Sequence, residues 1–525
     1  MRPANQLDAQ RRHPKQLYIL FFTEMWERFS FYGMKALLLA YMISQLKFDE
    51  PKGYAILGSY TALVYTMPML GGLMADRFLG YCRSIMFGGI LMTIGHFILA
   101  LPNEWSFFYG MAFIICGNGF FKPNISSLVG TLYSKNDPKK DSGFSLFYIG
   151  INAGAALGGL LCGYVGQKLN WHYGFGLAGI FMILGLLIFS IGKKTLNQKG
   201  LPPHPESLSA PILGFITAEL IIYVGTLVLV PMIVALFNAY ELMDYIMFSL
   251  GLISLVYIIY ISLKMDAASR FKLFAALIMI IFSIMFWAFY EQNSGSLNLF
   301  AIRNVDMRFL GAELPPLSVN NFLPPAWVII LSFFFAELWP WLNKKGMEPS
   351  TPLKFAISFT LMALGFYVFW VGCHWNEVNG LIPLWCFVAG YFFIISGELC
   401  ISPIGLSMIT KLSPSKIVSL IMGFWFFATA IGEFLASKIG AMMSVPLSVQ
   451  NNPIASMPYY ENILFKIALW SAATGVFLWL FVPKPQKVDA RCKIVLKVYT
   501  NNWAINVLFW KRILQSDYCL INILI

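Results

Sequence analysis

Two acids and two bases crowd into fifteen otherwise apolar residues, FFTEMWERFSFYGMK at 21–35. On a helix Glu24, Arg28, Tyr32 and Lys35 follow one another at i, i+4, i+8 and i+11 and share one stripe, with Glu27 flanking it. An ionisable group at the centre of an apolar span costs about 2.5–3.5 kcal/mol even on a lenient insertion scale, so one kept there is a functional candidate by default. Arg28 can pair with either carboxylate, which ties the protonation of Glu24 and Glu27 to the holding or release of the guanidinium. A structural ion pair that locks the helix is the alternative. Two acids around one base leave a spare acid, which favours proton-linked chemistry.

Further charges interrupt later apolar runs. Lys122 sits in CGNGFFKPNISSL, Glu291 at the outer end of a span in FWAFYEQNSG, and Glu398 deep in SGELCISPIG, five residues before Pro403. Pro403 with Gly397 and Gly405 marks a helix able to bend, as alternating access requires. Glu219, Glu337 and Glu433 read as helix packing or interfacial positions, and His96 as a packed neutral imidazole. Bases and acids lining one cavity imply a ligand that bears both a carboxylate and an ammonium. With only five histidines in the chain, a proton relay rests mainly on carboxylates. Residue types and spacing therefore point to a transporter of small zwitterions driven by protons.

The elements that position these groups are membrane helices. The chain has 525 residues, 58% hydrophobic and 12% charged, with 47 Phe, 24 Tyr, 15 Trp and 42 Gly. A soluble chain carries about a quarter charged residues, so this one is polytopic, and disorder, coiled coil and a disulfide scaffold are excluded. The net charge of +12 lies in short loops rather than a basic stripe, so nucleic acid is not expected as a partner. The eight cysteines form no CxxC and suit neither bridges nor a metal. The charges in the first apolar run are wrong for a cleavable signal.

Fourteen candidate spans lie near 17–46, 55–76, 84–101, 105–132, 142–167, 172–192, 211–236, 243–263, 272–293, 324–342, 353–372, 381–410, 417–440 and 459–482. Basic residues recur in alternate connections, from Arg11, Arg12 and Lys15 to Lys484 and Lys487, which places both termini in the cytoplasm. The layout is six, two and six. It predicts a cytoplasmic N-terminus (1–16), an N-terminal six-helix bundle (17–192), a Pro-rich linker (193–210), two inserted helices (211–269), a C-terminal six-helix bundle (270–484) and an atypical tail (485–525). That tail reads as an amphipathic surface segment or as the product of an altered reading frame.

Five stretches carry a family resemblance: Glu24, Glu27 and Arg28 as ExxER, GGLMADRFLGYCR at 71–83, FYIGINAGAALGG at 147–159, EQNSGSLNLFAIRNVD at 291–306 and GELCISPIGL at 397–406. Their order and spacing resemble the proton-dependent oligopeptide transporters of the major facilitator superfamily, from about residue 15 to 485, and the inserted pair resembles the bacterial members. The resemblance implies an all-α major facilitator fold and symport of di- and tripeptides with protons. It implies no cofactor beyond the proton gradient, a bacterial inner (plasma) membrane location and a monomer, with the lipid bilayer as surroundings.

It also implies residue roles. Glu24, Glu27, Arg28 and Glu291 would couple protons, Glu291 near the extracellular gate. Lys122 and Arg28 would meet the peptide carboxylate and Glu398 the amino terminus, while direct Lys122–Glu398 attraction would be strong without ligand. Asn152 and Tyr32 would bond the peptide backbone, Tyr65 would line the pocket, and Trp287 and Trp425 would form side-chain subpockets. Asp76 and Arg77 would latch the outward-open state. Three positions depart from the family: Lys35 stands where Arg is common, so a bidentate carboxylate contact becomes a point-charge one; Phe31 replaces a Tyr; and FLPPAW puts Pro324 where an Asn-Pro is usual, removing an amino-terminus contact. Rival readings keep the fold but change the cargo to amino acids, nitrate or other small anions, make the chain a membrane-embedded transferase, or make it a degenerate paralogue.

Overall fold

The computed structural model describes residues 13–134, 137, 139–196, 198–213, 216–375, 379–413 and 417–481. The expectations for residues 1–12, Lys135, Lys416, Lys484, Lys487 and the tail 485–525 lie outside them. Fourteen described helices have twenty residues or more. The first six are α1 (Lys15–Ser44), α2 (Glu50–Met74), α3 (Gly80–Leu99), α4 (Glu104–Thr131), α5 (Lys140–Lys168) and α6 (Trp171–Gly192). After the one-turn α7 (Pro205–Ser209) come α8 (Ala218–Asn238) and α9 (Tyr240–Leu263). The rest are α10 (Ala267–Tyr290), the short α11 (Ser296–Asn304), α12 (Pro316–Lys344), α13 (Thr351–Trp375), α14 (Leu384–Leu412), α15 (Val418–Ala441) and α16 (Pro453–Phe481).

Eleven stretches of described helix are long and apolar enough to cross a membrane. One of them, Glu50–Leu99, contains both α2 and α3, broken at Gly80, whose φ of 70° is a left-handed conformation that suits glycine. α1 and α4 fall outside the set. Their hydropathy is diluted by the charges already singled out, Glu24, Glu27, Arg28 and Lys35 on α1 and Lys122 on α4.

Expected boundaries shift where local chemistry intervenes. The seventh span was expected from residue 211, but Pro211–Leu213 and Ile216–Thr217 pair as an antiparallel hairpin and α8 starts at Ala218, capped by Thr217. The tenth begins earlier than expected, at Pro316, and runs through Pro324 and Pro325. The long connection after Glu291 folds into a 3-10 turn (Glu291–Ser294) and α11 rather than a plain loop.

α1 packs on α5 and α6, and α3 on α4, to build one bundle; α13 packs on α14 and α16, and α10 on α15, to build the other. The bundles meet along α2 with α15 and α5 with α12. α8 leans on α4, and both inserted helices leave much of their apolar surface open, as with Val228, Met232, Phe248 and Ile253. Such a surface is at home in lipid.

Glycine sets the closest approach. In the 147–159 motif Gly154 and Gly158 are four apart, and a Cβ on either would lie 2.1 Å from the Met25 carbonyl oxygen or 2.3 Å from that of Phe29. This small-xxx-small face presses α5 onto α1 beside Glu24 and Arg28. Gly154→Ala should therefore destabilise the protein by about 1–3 kcal/mol through overpacking. Gly176→Ala, whose Cβ would make an ordinary 3.8 Å contact with Ala100, should not. Thermal unfolding midpoints of the two purified variants check the contrast.

Candidate functional site: charge clusters between the bundles

The end of the molecule reached by the C-terminus of α1 is called distal. Midway along α1, the four-residue spacing brings Arg28 Nε to 3.1 Å from Glu24 Oε1. Glu27 accepts from the same guanidinium through both oxygens, one bond from Nε and one of 2.8 Å from Nη2. Asn118 of α4 also donates to Glu27, at 3.4 Å. All three charged side chains are buried, and Glu24 Oε2 has no hydrogen-bond partner among the described residues. Arg28 thus holds both acids at once rather than choosing between them. The buried cluster is left with one more acid than bases and one carboxylate oxygen open to a proton.

Further along α1, Lys35 Nζ lies 3.0 Å from Glu291 Oε2 and 3.4 Å from both oxygens of Glu433. Glu291 opens the 3-10 turn after α10 and Glu433 projects from α15, so this second cluster joins the bundles. Glu433, expected from the sequence to serve packing or an interface, is instead 3% exposed and ion-paired. Its depth in the 417–440 span was the available signal, but only the seating of α15 places it opposite α1. The Glu291 turn is held by a polar chain: Ser294 donates to Glu291, Asn298 to the Ser294 carbonyl, and Asn320 to Asn298 at 2.6 Å.

Nearer the distal end, Glu50 accepts from Arg303 at 2.6 Å and from the Val445 backbone N–H and Gln450 at 2.9 Å each. Tyr460 accepts from Arg303 at 2.8 Å. This buried, saturated network joins α2 to α11 and α16. No local pattern announces it, because its members are far apart in sequence.

Between the clusters Lys122 is half-buried, with Nζ 4.2 Å from the centre of the Tyr65 ring. On the facing bundle Glu398 is 7% exposed and accepts a 2.6 Å hydrogen bond from Tyr290. The expected direct attraction of Lys122 and Glu398 does not take the form of an ion pair among the described residues; neutral Tyr65 and Tyr290 attend the two charges instead. Tyr148 of α5 interacts electrostatically with both Glu398 and Tyr32, and Tyr65 with Glu433, Tyr32, Glu291 and Arg28, so these groups converge. Tyr148 and Tyr290 were not singled out in the sequence, where a tyrosine in an aromatic-rich span carries no distinguishing mark.

The other expected site residues are distributed as follows. Asn152 is buried and bonds the Tyr148 carbonyl of its own helix at 3.0 Å. Trp425 is buried with its ring against Gly405 of α14, on the segment that contains Pro403. Trp287 is half-buried, Cβ against Gly432, with no hydrogen-bond partner for Nε1 among the described residues. Asp76 and Arg77 are exposed in the π-helical turn Ala75–Leu79 at the other end of α2. Glu219 pairs with the partly exposed Arg83 at 2.5 Å. His96 is fully buried with neither ring nitrogen bonded among the described residues.

Chemically, an ammonium on one bundle and a carboxylate on the other, neither ion-paired among the described residues, can receive the two ends of a zwitterion. Among the described residues no group of His, Cys, Asp and Glu suits a metal ion.

The model of the POT family matches residues 82–455. An uncharacterised transporter, YclF, of Bacillus subtilis is 38% identical over 440 residues, covering 82% of this chain and 88% of that protein. Dipeptide and tripeptide permease B of Xenorhabdus bovienii is 32% identical over 474 residues, 90% of this chain and 95% of the permease. A crystal structure of peptide transporter POT in complex with sulfate has a TM-score of 0.75 at 34% identity, covering 91% of this chain and 98% of that one. The charge clusters thus sit in a scaffold shared over nine tenths of the sequence with solved peptide transporters, and the chain belongs to the POT family.

Proposed function

We propose that this multi-pass membrane protein carries di- and tripeptides into the cytoplasm in symport with protons, by alternating access between its two six-helix bundles. It is a secondary transporter, not an enzyme. The observation that carries the reading is the pair Lys122 and Glu398, an ammonium and a carboxylate on opposite bundles and not ion-paired to each other. A short peptide places its carboxylate and its amino terminus at opposite ends and satisfies both, drawing the bundles together. A free amino acid holds both charges on one carbon and cannot. An inorganic anion leaves Glu398 unanswered.

Around that pair, Glu24, Glu27 and Arg28 couple the proton, and Glu291 answers Lys35 at the distal seal. Tyr32, Tyr65 and Asn152 line the backbone of the peptide, and Trp287 and Trp425 flank its side chains. Lys35 enters the binding site only when the seal opens. Pro403 lets α14 bend, and Asp76 and Arg77 latch the opposite state. The distal end is extracellular, both termini are cytoplasmic, and the membrane is the bacterial inner membrane. The functional bundles run over 17–192 and 270–484, joined by the linker 193–210 and the inserted pair 211–269. The unit is a monomer, and the proton gradient takes the place of a cofactor.

Labelled dialanine supplied to proteoliposomes, with and without an inward proton gradient, tests this against free alanine and a tetrapeptide. Gradient-dependent uptake of the dipeptide alone is the expected result. Uptake of alanine in preference, or no uptake by folded protein, overturns the cargo.

A further inference from the structure

We propose that Glu433 is a proton-binding residue of the distal seal, taking up one proton as the extracellular side closes over Lys35. This rests on the symport reading above and adds a proton site to it. The geometry is one ammonium shared by two carboxylates: Lys35 Nζ reaches Glu291 at 3.0 Å and Glu433 at 3.4 Å, with side-chain exposures of 3%, 12% and 2%. Two carboxylates drawn to one ammonium repel each other, and a single lysine cannot neutralise both acids. One proton makes the triad neutral: a carboxylate, an ammonium and a carboxylic acid.

Among the described residues nothing else nearby takes that role. The groups that reach Glu433 from neighbouring elements are Tyr32 on α1, Tyr60 and Tyr65 on α2, Lys122 on α4 and Glu291 itself. The tyrosines are neutral, and the ammonium of Lys122 also faces the surplus negative charge of Glu24, Glu27 and Arg28. On α15 itself Lys438 is paired with Asp244 of α9 at 2.6 Å.

The Lys35 cluster differs from the Arg28 cluster in how it is assembled. Glu24, Arg28 and Glu27 stay together on α1 whatever the bundles do, whereas Lys35, Glu291 and Glu433 come from three elements and meet only when the distal end is shut. Closing therefore takes a proton from extracellular water, forming one O–H bond on an oxygen of Glu433, whose contact with Lys35 is the longer of the two, and separation of the arms releases it. Because the proton stabilises the closed seal, extracellular acid favours the inward-facing state, the direction that inward symport requires.

Two measurements test it. First, Ser437→Cys, at the buried α2–α15 seam, reports opening through a membrane-impermeant maleimide applied distally, with no peptide or gradient present. Divided at each pH by the rate of the same maleimide with free cysteine, which removes the slowing caused by loss of thiolate itself, labelling should slow as pH falls, by up to about tenfold per pH unit for one linked proton, and should lose that dependence when Glu433→Gln is added. Glu433→Asp should restore it. A pH dependence in Glu433→Gln equal to that of the parent overturns the proposal, whatever the transport assay shows. Second, the proton-to-dialanine ratio from reversal potentials should be unchanged in Glu433→Gln, because this proton returns to the side it came from, and a ratio lowered by one overturns it. Absence of gradient-driven uptake in the unmodified protein would instead sink the symport reading, while the labelling experiment still decides Glu433.

Discussion

Replacing Glu24 by Gln should sharply reduce peptide accumulation driven by a proton gradient while counterflow exchange continues. Arg28 faces two carboxylates, and Glu27 already takes two bonds from it and one from Asn118. Glu24 makes one contact with the guanidinium and leaves Oε2 unpartnered and buried. It is therefore the acid most easily supplied with a proton, and a proton there removes its claim on the guanidinium, leaving Arg28 with Glu27 and a charge that the peptide carboxylate can share. Glutamine keeps the shape and a neutral side chain but cannot titrate, so the protein is held in the protonated-like form. Exchange of bound for free peptide needs no proton turnover and persists. Net uptake against a gradient does, and should fall by about 5–150-fold, the span of ordinary coupling energies. Parallel assays of counterflow and gradient-driven uptake separate the cases; equal loss of both would mean that Glu24 serves folding rather than coupling.

Lys35→Met should open the distal seal. Removing one partner of a buried ion pair leaves an uncompensated charge and costs about 3–5 kcal/mol, and here two carboxylates, Glu291 and Glu433, lose their common cation. That cost falls on the closed state alone, because in the open state water reaches the acids. A bias of this size moves a two-state equilibrium by two to three orders of magnitude, at about 1.4 kcal/mol per factor of ten. Part of it survives through the Glu50–Arg303 network, which closes the same end independently. Maleimide labelling of Ser437→Cys from the distal side should rise accordingly at neutral pH, with uptake correspondingly reduced. An accessibility unchanged by Lys35→Met would show that the Glu50 network and helix packing suffice without the lysine. Lysine is suited to this place: a point charge on a flexible stem can sit between two carboxylates, where a planar guanidinium would favour one bidentate partner.

The residue sequence determined the class of molecule and much of its machinery. Apolar runs of membrane length, charges that a bilayer would not tolerate without a purpose, and four-residue spacings on one helix are local properties, legible without neighbours. They placed Glu24, Glu27 and Arg28 in one cluster, marked Lys122 and Glu398 as exceptional, and gave the helices to within a turn or two. What they could not supply is the partner of a charge on another helix. The sequence points Lys35 toward the peptide, and only the structure shows that it meets Glu291 and Glu433. From the sequence Glu433 reads as packing and Arg303 only as a cation of a connection and of the 291–306 motif, and nothing marks Glu50, Tyr148 or Tyr290. Each depends on which face of one helix meets which face of another. That choice is made by close glycine contacts such as Gly154 on Met25 and by helix seating summed over whole interfaces. Periodicity fixes where a side chain lies on its own helix, but only the packed bundles decide what it meets across the gap.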